Sequence, residues 1–106
     1  MPKYLAQVNY VGEGIKGLLK EGGSSRRAVV EKLIQSLGGT LETFYYAFGE
    51  TDLFIIADMP DNASMAAAAL TVSATGTVTV KTTVLMGPED LDEAAKKTPL
   101  FRPAGT

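Results

Sequence analysis

The chain has no cysteine and no histidine. Lacking cysteine, it has no disulfide, no thiolate nucleophile and no cysteine-ligated metal, so the fold must stand on packing. Lacking histidine, it is without the commonest general base, the commonest transition-metal ligand and the proximal ligand of most haem proteins. No metal site and no cofactor are expected. A surplus of one charge is also missing. A formal net charge of −2 over 106 residues gives no footprint for nucleic acid or an anionic membrane, and neither is expected as a partner. No run reaches the roughly 20 apolar residues needed to span a bilayer. The opening Met1-Pro2-Lys3-Tyr4 enters a strand with no signal segment, so a cytoplasmic location is expected.

What is present is ordinary for a globular protein: 45% hydrophobic and 21% charged residues. The length suits one domain that buries roughly two-thirds of its unfolded surface. Lys3 to Tyr10 alternates, with Tyr4, Ala6, Val8 and Tyr10 on one face and Lys3, Leu5, Gln7 and Asn9 on the other, as in a half-buried strand. A short helix carrying Ile15, Leu18 and Leu19 is expected to stop at Gly22-Gly23. Ser24 and Ser25 then read as N-caps of a second helix, whose apolar face is Val30, Leu33, Ile34 and Leu37 and whose end is Gly38-Gly39.

Leu41 to Asp58 is the clearest signal in the chain. Two β-rich runs fold back on each other at Phe48-Gly49-Glu50-Thr51-Asp52, forming a β-hairpin. Pro60-Asp61-Asn62 opens an Ala-rich helix from Ala63 to Ala74, whose small side chains suggest close helix-to-sheet approach. Thr77 to Met86 alternates as a fourth strand. A last helix starts at Gly87-Pro88 with acids in its first turn and Lys96-Lys97 in its last.

The order β, helix pair, β, β, α, β, α predicts an α+β, ferredoxin-like fold: an antiparallel sheet with helices on one face. Residues 1–98 form this domain and residues 99–106 a tail. The uncovered face would carry Leu5, Gln7, Asn9, Thr79, Lys81 and Thr83, together with either Phe44, Tyr46 and Phe48 or Leu41, Thr43 and Tyr45. Such a mixed surface predicts a homo-oligomer, a dimer or higher, made by sheet pairing. Leu100 and Phe101, held extended between Pro99 and Pro103, are expected to be buried against their own domain or a neighbouring subunit.

Several stretches together resemble the GYD-domain family, named for a Gly-x-Tyr-Asp motif after the second strand. They are Met1-Pro2-Lys3-Tyr4-Leu5, the helical region Glu13 to Arg27, the Phe48-Gly49-Glu50-Thr51-Asp52 turn with Ile55-Ile56-Ala57-Asp58 behind it, and Arg102-Pro103. Gly49 and Asp52 match the motif, and Thr51 stands where the family has Tyr. The resemblance implies a dimeric ferredoxin-like fold, an α/β-barrel type of association, of poorly defined activity.

Candidate ligand-binding residues are few. Asp52 reads either as turn chemistry or as a polar group at a pocket mouth. Gly22-Gly23-Ser24-Ser25-Arg26-Arg27 has the parts of a site for a small anion, or else is a helix junction with its arginines solvated or paired to Glu21 or Glu31. Tyr10, with Tyr45 or Tyr46, would line a cavity for a polar ligand; the two adjacent tyrosines must point to opposite faces, so at most one joins Tyr10. Lys81 on the open face reads as an interface residue, with Glu42 as its candidate partner, or as a desolvated nucleophile.

Two functions of different class follow. One is an oligomeric small-molecule-binding or structural module. The other is a cofactor-independent enzyme, monooxygenase- or isomerase-like, acting on a small polar organic molecule; it rests on fold analogy. An effector-sensing accessory domain is a third. The missing histidine favours the first.

Overall fold

Four alternating segments pair into one antiparallel sheet. They are β1 (Lys3–Tyr10), β2 (Thr40–Tyr46), β3 (Leu53–Asp58) and β4 (Val78–Leu85), in the spatial order β2-β3-β1-β4. A computed structural model describes all residues, 1–106. The connections are α1 (Gly14–Glu21) and α2 (Gly23–Ser36) between β1 and β2, and α3 (Asn62–Ser73) between β3 and β4. α4 (Pro88–Ala95) follows β4. This is the expected α+β arrangement, consistent with a ferredoxin-like fold.

Register sorts the faces. Tyr4 pairs with Ala57 and Val84, Ala6 with Ile55, and Val8 with Leu53 and Val80. Because side chains alternate across a strand, these residues share the face turned to the helices. Tyr4, Ala6, Val8, Leu41, Leu53, Ile55 and Ala57 pack there with Ile34 of α2 and Met65 of α3, and Met59 is fully buried. Val30 and Leu37 lie half-buried against the same core, so most of the anticipated face of α2 is used.

Neither alternative for the second strand holds whole. A β-bulge between Leu41 and Thr43 resets the alternation, so Leu41, Phe44 and Tyr46 face the helices and Thr43 and Tyr45 the open side. The irregularity also serves Lys3, which reaches the Glu42 and Asp58 carboxylates at 2.8 and 2.9 Å. Bonding to Glu42 first and Asp58 second raises the Lys3 pKa. Within the chain, Glu42 is thus a partner of Lys3.

Helix starts depart from the reading at one place. α2 begins at Gly23 with Gly22 as its cap, no side chain caps it, and Ser24 and Ser25 lie in its first turn. Asp61 does cap α3, accepting from the Ser64 N–H at 2.8 Å, which lowers its pKa. Lys96 and Lys97 fall just beyond α4 rather than in its last turn.

The carboxyl-terminal segment leaves the body. Strands of eight residues at about 3.3 Å each reach only about 26 Å, yet the longest dimension is 58 Å. α4 buries none of its residues, Leu100 is fully exposed and Phe101 is 84% exposed. The expectation that these two pack on their own domain is overturned: a segment directed away from the sheet has no core to meet.

Candidate functional site

Between the sheet and α1, α2 and α3 lies a cavity of about 370 Å³. Its origin is the small side chains on both walls. Ala6 and Ala57 lie in the floor, and Ala68, Ala69 and Val72 of α3 look back at them. The Ala-rich helix thus leaves room above the sheet instead of closing flush upon it. α1 does little to fill the gap, since Gly14 is its one buried residue. A Cβ at Gly14 would run into the Thr77 carbonyl, so glycine sets how near α1 sits to the start of β4.

The polar groups lie at the rim. Tyr10, at the end of β1, is half-buried. Burial first, and then the neighbouring Tyr46 hydroxyl, pushes its phenol up to about 12, which keeps it a neutral hydrogen-bond donor. Tyr46 donates to the Gly23 carbonyl at 3.1 Å, and a Cβ on Gly23 would lie 2.9 Å from the Tyr46 ring. This close approach ties the start of α2 to the end of β2. Phe44 supports Tyr46 edge to face, with ring centroids 5.2 Å apart. Arg26 lines the cavity with one N–H directed at Glu21, 3.4 Å away.

The anticipated residues divide between places. Tyr10 and Arg26 come together at the rim. Of the adjacent tyrosines, the one beside Tyr10 is Tyr46; Tyr45 is on the opposite face and 70% exposed. Asp52 accepts from the Tyr10 N–H at 2.9 Å, and its own N–H donates to the Asn9 side chain at 2.9 Å. The Asp52 carboxylate fastens the hairpin to the end of β1 and is not a wall of the cavity. Ser24, Ser25 and Arg27 are exposed and outside the lining. Glu21 was anticipated only as a partner of the arginines, and it does face Arg26; Thr75, Thr77 and the α3 residues were not anticipated. Small residues three and four apart on the Ala-rich helix were the available sign of a recess.

A family model, the GYD domain, matches residues 4–95. The chain belongs to the GYD-domain family. No curated protein and no solved structure matches it. The match takes in the sheet, all four helices and the whole cavity, and it stops before the exposed tail. In this GYD domain Thr51 donates to the Gln7 side chain at 3.2 Å. The motif position held by Thr51 therefore sits on the open face of the sheet, away from the cavity. No group of carboxylates is placed to hold a metal ion, and no helix is long and apolar enough to cross a membrane.

Proposed function

We infer that this GYD domain is a small-molecule-binding module that takes an apolar or amphipathic molecule between its sheet and helices. The observation that carries the reading is the cavity of about 370 Å³, apolar within and polar at one rim. That size lies in the range of small-ligand sites. Binding is favoured over catalysis because the chain has no histidine or cysteine and the carboxylates at the rim, Glu13 and Glu21, each lie 3.4 Å from a cation, Lys16 and Arg26. Native mass spectrometry of freshly purified protein tests the reading through a retained small molecule that dissociates on activation. Absence of any retained or added apolar ligand would reject it.

The module is proposed to work as a homo-oligomer in the cytoplasm. Leu5 pairs with Ile56, and Phe54 with Tyr45, so these four make a continuous apolar patch on the uncovered sheet face. Helices lie on one side of the sheet only, and a second copy is the economical cover. Leu5→Glu should shift sedimentation toward monomer, whereas Lys20→Glu should not. A concentration-independent monomer of the native chain would defeat the proposal.

A further inference from the structure

The polar groups around the cavity can be accounted for one by one. The Tyr4 hydroxyl is given to Asn62. Thr75 and Thr77 are bonded to each other at 2.7 Å, and Thr75 also reaches the Val72 carbonyl at 2.7 Å. Glu13 faces Lys16, and Glu21 faces Arg26. Two donors are open to a ligand. One is the Tyr10 hydroxyl, whose partner within the chain is the Tyr46 oxygen, a bond that a carboxylate can replace. The other is the Arg26 guanidinium, whose N–H fork has one bond, a long one at 3.4 Å. Arg26 is also the one cation in the lining.

A site with an apolar body and spare donors at one end selects an apolar molecule ending in an acceptor. An anionic acceptor gains most, because charge-assisted bonds to a guanidinium are short, strong and often bidentate. We propose that the ligand is an apolar carboxylic acid, its hydrocarbon part in the cavity and its carboxylate on Arg26 and Tyr10, where it displaces Glu21 from the guanidinium. This assignment rests on the cavity-binding reading above and adds the chemistry of the head group. At about 30 Å³ per water-sized group, the space holds roughly a dozen non-hydrogen atoms. A phenyl ring on a short alkyl acid has that size. Raised well above its ordinary value, the Tyr10 phenol stays protonated, as a donor to a carboxylate must.

The test is a titration of the full chain with three molecules of one shape, phenylbutanoate, phenylbutanol and phenylbutylamine, followed by isothermal calorimetry and by the methyl NMR signals of Ala69, Val72 and Val78. The acid should bind about tenfold or more tighter than the alcohol, and the amine weakest. All three should shift the cavity methyls. Arg26→Gln should bring the acid down to the affinity of the alcohol and leave the alcohol unchanged. Tyr10→Phe should weaken the acid by a smaller factor. Equal binding of acid and alcohol at the cavity methyls would overturn the carboxylate assignment and leave the cavity reading standing. Tightest binding by the amine would overturn it in favour of the glutamates. No shift of the cavity methyls with any of the three would overturn both. Arg26 is half-buried at the rim, so the melting curve and amide spectra of the variant check that the fold is kept.

Discussion

Filling the cavity should make the protein more stable and less able to bind. Ala69 of α3 lines the space and is half-buried, so Ala69→Leu directs three further carbons into it. Full burial would contribute about 0.8 kcal/mol for each carbon. Partial exposure reduces this, and ordering a leucine costs about 0.5–1 kcal/mol. The net gain is about 1 kcal/mol, or a rise in Tm of about 4 °C for a domain near this size. Ala66→Leu on the exposed side of α3 serves as the control for helix propensity and surface effects. Calorimetric melting and urea unfolding of both variants give the stability difference, and the phenylbutanoate titration gives the binding. A loss of 1 kcal/mol or more in Ala69→Leu, with Ala66→Leu unchanged, would mean overpacking: sheet and helix touch in solution and the space is not there. A gain in stability with undiminished binding would place the ligand elsewhere.

Three other outcomes follow from the structure. The Tyr10 phenol is about 12 in the folded chain and 10.0 in an exposed reference, so its contribution to stability is complete below pH 10 and is lost as pH rises toward 12. The alkaline tyrosinate absorbance of native protein minus that of Tyr10→Phe should show this late step, and a difference curve centred on 10.0 would refute the burial of the phenol. Asp61→Ala removes the cap of α3 and should lower Tm at neutral pH. Because the Asp61 pKa is lowered below 3.8 on folding, its stabilising effect is present above that value and lost as pH falls through the folded pKa, so melting curves of native and variant protein should converge in acid. Removal of residues 98–106 takes away Leu100 and Phe101, which lie exposed in their own chain. If a neighbouring copy covers them, sedimentation should shift to smaller species and Tm should become more dependent on protein concentration; unchanged assembly and Tm would show a solvated tail.

Local rules carried much of the architecture. Alternation in Lys3–Tyr10 and in the fourth strand, glycine at the helix ends, and the Asp61 cap are signals that act within a few residues, and each appears in the fold near its expected place. The element order then leaves few ways to cover one sheet. Three features escaped this logic because they depend on segments distant in sequence. The bulge after Leu41 answers to the Lys3, Glu42 and Asp58 cluster and to packing with β3, and it alone decides that Tyr46 rather than Tyr45 stands beside Tyr10. Composition shows that α3 is rich in alanine, but whether small residues draw a helix down or leave a hollow depends on what faces them, and here Ala6 and Ala57 face them. Pro99 and Pro103 restrict the tail locally, yet its burial needs a surface to meet, and the direction taken by α4 removes that surface from its own domain. The residue types at the rim were legible in the sequence; their convergence on one cavity was not, since Tyr10, Arg26 and Ala69 meet only when the sheet and its helices close around the same space.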